Sequence, residues 1–322
     1  MTTWGIISTA HINRLVIPPA RESPRVDLIA VASRDQSRAE EYARKWDIER
    51  AYGSYEALLE DADVEAVYIS LPNTLHCEWS VRALEAGKHV LCEKPLSRHP
   101  EEVEAAFDVA ERTGRILSEA FMYRHNPQTA RLRALIDEGA IGDVRLIRSA
   151  FSYSLYDPGN IRLQADLEGG ALMDVGCYCV SGSRFVAGGE PSSVHGQAWV
   201  GPTGTDWMFT GSMRFGDDVL AIFDCATALP ERDELEVIGS EGTLFLDDPW
   251  HCNAPVIQVR RAGEVERIEI EHENSYRLEL ENVSDAIDGK AELLLGRDDA
   301  VAQARALDAL YRSAEAVEEV RL

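Results

Sequence analysis

Three side chains have the chemistry to manage the proton and charge changes of a carbon–oxygen redox step: Lys94, Asp174 and Tyr178. Lys94 stands in Cys92-Glu93-Lys94-Pro95-Leu96, directly after an apolar run. That places it at the carboxyl end of a strand, the edge where open α/β sheets take their ligands. An ammonium there can donate to a hydroxyl or carbonyl oxygen and stabilise a developing alkoxide. The other two lie in Gly169-Gly170-Ala171-Leu172-Met173-Asp174-Val175-Gly176-Cys177-Tyr178. On a helix, residues four apart share a face, so this spacing would present a carboxylate beside a phenol. A cleft holding all three around a hydroxyl-bearing carbon would contain a proton acceptor and a carboxylate to orient it. Each also has a plainer reading: a surface lysine, an aspartate supporting a helix electrostatically, a tyrosine in the core.

A nucleotide site is expected nearby. Gly5-Ile6-Ile7-Ser8-Thr9-Ala10-His11-Ile12 ends a first strand and turns into a helix, so Gly5, Ser8, Thr9, Ala10, His11 and Ile12 are candidates to hold a pyrophosphate with backbone N–H groups and the helix dipole. A strict GxGxxG is not present, since Gly5 is the one glycine of this segment. The second strand ends in Ala32-Ser33-Arg34-Asp35, with Arg38 one turn onward. Ser33, Arg34 and Arg38 can donate to a ribose 2′-phosphate, which favours NADP, while Asp35 keeps NAD open. Leu71, Pro72, Asn73 and His76 follow a buried strand, and with Glu93 and Lys94 they complete the expected cofactor contacts. Asn73 reads equally as a helix cap and His76 as a packed side chain.

The elements that must position these residues follow from periodicity. Up to about residue 125, β-branched runs (Thr3 to Ile7, Asp27 to Ser33, Ala66 to Leu71, His89 to Leu91, Ile116 to Ala120) alternate with helical patterns. That is the signature of an α/β, doubly wound parallel sheet of the Rossmann kind. Gly87 and Gly114 fall where helix C-caps belong. A linking helix is expected around Gln128 to Glu138, then longer strands: Val144 to Tyr153, Val194 to Val200, Trp207 to Phe215, Val219 to Ala226, Glu234 to Gly239, Thr243 to Leu246, Val256 to Arg261 and Glu264 to Ile270. Their short connections imply a mainly antiparallel sheet. An irregular segment from Tyr156 to Gly170 and a helix from Ala171 to Val186 interrupt it, and helices at Tyr276 to Ile287 and Asp298 to Val320 close the chain. The division expected is residues 1–122, binding dinucleotide, and 123–322, an α+β domain for substrate and oligomerisation, whose C-terminal helix can pack back on the first.

Composition narrows the function classes. At 322 residues the chain exceeds one comfortable core. A net charge of −24, from 32 basic and 56 acidic residues, opposes attraction to nucleic acid or anionic membrane. No apolar run reaches the roughly 20 residues a bilayer needs, and no secretory leader is visible, so a cytoplasmic location is expected. The six cysteines lack paired metal-ligand spacing, and no metal is expected.

With Gly5 to Ile12, Glu93-Lys94-Pro95 and Asp174-Val175-Gly176-Cys177-Tyr178 in this order, the chain resembles, over essentially its full length, the glucose-fructose oxidoreductase, inositol dehydrogenase and rhizopine-catabolism oxidoreductase family. Tyrosine at 178, where many members carry histidine, together with Trp4-Gly5-Ile6 and Asn160-Ile161-Arg162, looks more like the branch of dihydrodiol dehydrogenases, NADP-linked xylose dehydrogenases and anhydrofructose or keto-sugar reductases. The resemblance implies hydride transfer between nicotinamide and a hydroxyl or carbonyl carbon of a sugar or cyclic polyol. It assigns catalysis to Lys94, Tyr178 and Asp174, with the substrate proton taken by Tyr178 or Lys94. Under it, Tyr123, Arg124, His125, Asp157, Asn160 and Arg162 become candidate substrate contacts, and a homodimer or higher homo-oligomer through the open face of the second sheet is implied. A redox-neutral, NAD-dependent glycoside hydrolase and a nucleotide-binding sensor without catalysis are the alternatives.

Overall fold

Short runs of Val, Ile and Ala that are buried on both faces have one stable home, a parallel sheet covered by helices. β1 (Thr2–Ile7), β2 (Val26–Ala32), β3 (Arg50–Tyr52), β4 (Ala66–Ile69), β5 (His89–Glu93) and β6 (Leu117–Ala120) form that sheet, in the order β3-β2-β1-β4-β5-β6. The order reverses direction outward from β1, so β1 and β4 flank the switch point where a doubly wound sheet binds its nucleotide. Helices α1 (Asn13–Glu22), α2 (Gln36–Trp46), α3 (Tyr55–Leu59), α4 (His76–Glu85) and α5 (Pro100–Thr113) connect the strands. Gly114 caps α5 at φ 64°, and Gly87 lies just past α4 at φ 80°. β3 has no counterpart in the sequence reading, because three half-buried residues are too few to show an alternation. The structure, a computed structural model, describes residues 1–157 and 159–322.

In the second unit, α6 (Pro127–Asp137) leads into β7 (Val144–Ser154); α7 (Cys177–Ala187) then precedes β8 (Ser193–Val200), β9 (Asp206–Phe215), β10 (Val219–Ala226), β11 (Ala228–Gly239), β12 (Thr243–Leu246), β13 (Val256–Arg261) and β14 (Glu264–Glu269). With β15 (Val320–Arg321) they form one sheet in the order β14-β13-β12-β11-β7-β10-β9-β8-β15. The pairs are antiparallel except β7 with β10. That exception follows from the long excursion through residues 155–192, which lets the returning strands lie beside β7 in its own direction. α7 covers one face, where Ala221, Phe223 and Cys225 of β10 are buried. On the alternate positions Leu220 and Ile222 are 42% and 43% exposed. The helix expected from Ala171 begins instead as a π-helical turn over Leu172–Gly176 and becomes α-helical only at Cys177.

The chain divides a second time where the sequence reading drew no boundary. Asn274–Val301, carrying α8 (Ser275–Ile287) and the first turn of α9 (Arg297–Ala316), belongs to the first unit. The cause is apolar: Leu280 and Val283 enter the core made by Trp4, Ile6, Val16 and Ile17, and the Trp4 indole N–H donates to Ser284 Oγ at 3.1 Å. Each such buried aliphatic side chain is worth roughly 1.5–3 kcal/mol. The second unit is then Tyr123–Glu273 with Ala302–Leu322. Among the described residues no helix is long and apolar enough to cross a membrane.

Candidate active site

The turn after β1 is built on a serine in glycine's conformation. Ser8 is 7% exposed at φ 124°, a region that side-chain-bearing residues avoid. Hydrogen bonds hold it there. Its hydroxyl accepts from Ala10 N–H at 3.1 Å and meets Ser70 O and Oγ at 2.9 and 2.8 Å. Ser70 Oγ in turn donates to Asn13 Oδ1 at 2.7 Å, and Asn13 Nδ2 returns to Ser8 O at 3.1 Å. Gly5 also has a packing task. It lies inside β1, where an added Cβ would meet Leu58 Cδ2 at 2.9 Å, so it makes room for α3. Thr9, His11 and Ile12 complete the turn, with Ile12 as the first residue outside α1. Among the described residues no acceptor meets the N–H groups of these three. A strand-to-helix turn with open N–H donors at a helix N-terminus fits a pyrophosphate.

At the end of β2, Ser33 is buried and its N–H is bound to Tyr52 O at 2.9 Å. The Asp35 carboxylate caps α2, accepting from Arg38 N–H at 2.8 Å and Ser37 Oγ at 2.6 Å. The Ser37 hydroxyl and then the Arg38 N–H hold its carboxyl below the usual carboxylate range. The carboxylate is thus engaged in the cap. The guanidiniums of Arg34 and Arg38 both lie close enough to the Tyr55 hydroxyl to favour its anion, against the burial that raises it.

The loops after β4 and β5 are tied together. Pro72, not Asn73, stands at the cap position of the short 3₁₀ turn Asn73–Leu75, and no side chain caps it. His76, at 1% exposure, sets Nε2 2.8 Å from Leu71 O and Nδ1 2.9 Å from Pro95 O. Leu96 N–H donates to Glu119 Oε1 at 2.7 Å, and Cys77 Sγ lies 3.6 Å from Leu96 O. The Lys94-Pro95-Leu96 segment, with a cis bond before Pro95, is therefore anchored from both α4 and β6. Tyr68 donates its hydroxyl to Glu93. Glu279 of α8 is 2% exposed beside Glu93, and burial followed by the Glu93 charge pushes its carboxyl well up.

In the second unit Asp174 is held on both oxygens, by Tyr153 Oη at 2.5 Å and by Arg162 Nε at 3.0 Å. Tyr178, 6% exposed, packs its ring 5.3 Å from Phe151, 5.8 Å from Tyr123 and 6.1 Å from Trp250. Phe151 and Tyr153 are two apart on β7 and share a face, so one strand face receives both Tyr178 and Asp174. The intervening π turn is the sort of irregularity that re-aims a side chain at a functional site. Gly170, at φ 135°, lies where a Cβ would come 2.1 Å from Asp206 Oδ1. The Asp206 carboxylate accepts from Leu172 N–H at 2.7 Å and starts the helix.

The other candidate substrate contacts separate. Arg162 joins Asp174, but Tyr123 is buried with its hydroxyl 2.8 Å from Ser181 Oγ, a packing role. Arg124 lies over the Phe185 ring, and burial with the Arg124 charge pushes His125 down to about 3. Asp157 and Asn160 accept from Gly159 and Arg162 N–H, shaping their own turns. Sequence reasoning missed Tyr153, whose hydroxyl is pushed up by burial and by Asp174. It also missed His251, which sets Nδ1 2.5 Å from Asp233 Oδ2 and its ring 5.3 Å from Phe151. Asp248 brings a third potential ligand atom within 4.8 Å of that pair. The only local signal for Tyr153 is its two-residue spacing from Phe151.

Residues 2–121 match the model of the GFO/IDH/MocA oxidoreductase family with an NAD-binding Rossmann fold, and residues 129–245 match the GFO/IDH/MocA C-terminal domain. A D-xylose 1-dehydrogenase (NADP(+)) of Haloferax volcanii is 36% identical over 324 residues, covering 99% of each chain. An aldose-aldose oxidoreductase of Caulobacter crescentus, solved with glycerol, superposes with a TM-score of 0.93 at 26% identity, covering 100% of this chain and 99% of that one. A 3-ketoreductase of Actinomadura kijaniata, solved with NADP and TDP-benzene, gives 0.91 at 30% identity over 97% of both chains. The dinucleotide turn, the anchored Glu93-Lys94-Pro95 loop and the Asp174–Tyr178 helix start thus stand in a chain that belongs to the GFO/IDH/MocA family of oxidoreductases.

Proposed function

We propose that this chain is an NADP-dependent oxidoreductase that transfers a hydride between the nicotinamide and a hydroxyl or carbonyl carbon of a sugar or cyclic polyol. The observation that carries the reading is the Asp174 carboxylate, held by Tyr153 and Arg162 on the strand face where Tyr178 packs. A carboxylate held on both oxygens beside a phenol is suited to orienting a hydroxyl and its proton. Preference for NADP is supported by Asp35, whose carboxylate caps α2 instead of awaiting a ribose, and by Arg34 and Arg38 beside it. Relatives named for NADP and for sugars, a xylose dehydrogenase and a 3-ketoreductase, point the same way.

When bound, NADP supplies the hydride acceptor or donor. Lys94 donates a hydrogen bond to the reacting oxygen of the substrate and stabilises it as negative charge builds. In the oxidising direction the hydroxyl proton leaves to Tyr178 or Lys94, and the same group returns it in reduction. Asp174 stays anionic and fixes its neighbours, while Arg162 holds that charge in place. Absorbance of reduced nicotinamide, followed with aldoses, inositols, anhydrosugars and keto-sugars, tests the assignment. Lys94→Ala is expected to lose roughly 10²-fold or more in kcat, the scale of a positioned proton-transfer group, with NADP affinity retained. Normal turnover in that variant overturns it.

A further inference from the structure

We propose that His76 is a buried imidazolium, paired with Glu119 through the peptide group of Pro95–Leu96, and that this bridged ion pair positions Lys94. The inference about Lys94 rests on its proposed contact with substrate; the ion pair does not.

A neutral imidazole carries one N–H and one lone pair. Both ring nitrogens of His76 face carbonyl oxygens, Pro95 O at 2.9 Å and Leu71 O at 2.8 Å, at 1% exposure. A neutral ring would set a lone pair against one of those oxygens at hydrogen-bond distance, sheltered from solvent. Only the doubly protonated ring donates to both.

A buried cation needs a counter-charge. Glu119 of β6, itself 2% exposed, accepts the Leu96 N–H at 2.7 Å. Pro95 C=O and Leu96 N–H are the two ends of one peptide group. A cation at its oxygen and an anion at its N–H polarise that peptide in the same sense, and each strengthens the other's hydrogen bond. The pair is thus connected without touching. Its own helix also carries Cys77 and, in exposed ion pairs, Glu78, Arg82 and Glu85; Cys92 and Glu93 lie on β5 and Lys94 in the loop, and Glu102 of α5 is tied to Ser97. Lys94 immediately precedes Pro95, so the clamp fixes its backbone, while the His76 bond to Leu71 O extends the same restraint to the loop after β4. His76 is a positioning residue.

Long-range ¹H–¹⁵N correlation spectra of the full-length protein at pH 8, with the His76 ring assigned through its own backbone resonances, test the charge directly. Both nitrogens are expected in the protonated range; a neutral tautomer overturns the proposal. In Glu119→Gln the His76 ring is expected to lose a proton at that pH, and a ring that stays doubly protonated overturns the pairing. His76→Gln is expected to lower kcat about tenfold, the scale of a sub-ångström to ångström misplacement. Unchanged kcat there, beside an inactive Lys94→Ala, overturns the positioning role. An active Lys94→Ala removes the substrate reading of that lysine, and the ring spectra still decide the ion pair.

Discussion

The two units organise their polar groups differently. In the first, side chains at the strand ends bond mainly to backbone: Asn13 to Ser8 O, Asp35 to Arg38 N–H, His76 to two carbonyls and Glu119 to Leu96 N–H. In the second, side chain meets side chain: Tyr153 and Arg162 on Asp174, His251 on Asp233, and a cluster of aromatic rings around Tyr178. Backbone bonds fix the shape of a loop, which suits a site that must present N–H groups to a ligand of constant form. Side-chain pairs fix the charge and direction of particular groups. They can be exchanged without redrawing the fold.

If that division holds, lesions in the two units must separate cofactor affinity from turnover. The largest effect is expected from Arg34→Ala combined with Arg38→Ala. Loss of two charged hydrogen bonds worth about 1.5–3 kcal/mol each should weaken NADP by roughly 10²-fold or more. NAD affinity should barely move, and calorimetric titration with both nucleotides would show it; equal losses for the two would remove the 2′-phosphate assignment.

Tyr153→Phe comes next. Taking one of two holders from Asp174 should cost about tenfold in kcat, or about 1.4 kcal/mol at the transition state, with NADP affinity unchanged. A change in NADP affinity alone would break the proposed separation.

The smallest effect is on stability. Glu279 is buried beside Glu93, and burial followed by the Glu93 charge raises its carboxyl, which favours the neutral acid in the folded state. Its contribution is present in full below the unfolded-state value of about 4.3 and is lost as pH rises towards the folded-state value. Glu279→Gln, permanently neutral, should therefore raise the urea midpoint near pH 8 relative to the parent and leave it little changed near pH 4. A flat difference across that range would show that the carboxyl does not exchange its proton on unfolding.

The same contrast explains what was legible in the sequence. Five of the six strands of the first sheet, the cap at Gly114 and the loop bearing Lys94 are local features, written within a turn or two of the residues they serve. Asp174 and Tyr178 were legible as a pair because four-residue spacing is local too. The partners of Asp174 were less so: Arg162 appeared only among general substrate candidates, and Tyr153 not at all, since its meeting with Asp174 depends on β7 lying under the helix start. Gly5 and Ser8 carry further tasks that their positions did not announce, the glycine making room for Leu58 and the serine taking the glycine-like φ. His251 was missed because nothing near it in sequence signals Asp233, 18 positions away across a sheet.

The returning segment has a consequence in time as well as in space. Trp4 and its hydrogen-bond partner Ser284 are 280 positions apart, so the N-terminal strand emerges long before the helix that completes its core. At synthesis rates of ~5–20 residues per second, the stretch between residues 122 and 274 alone imposes a delay of roughly 8–30 s. During it the apolar seat of Leu280 and Val283 stands open on the nascent chain. The nucleotide-binding unit, although first in sequence, is therefore still incomplete after the whole Tyr123–Glu273 stretch of the second unit has been synthesised.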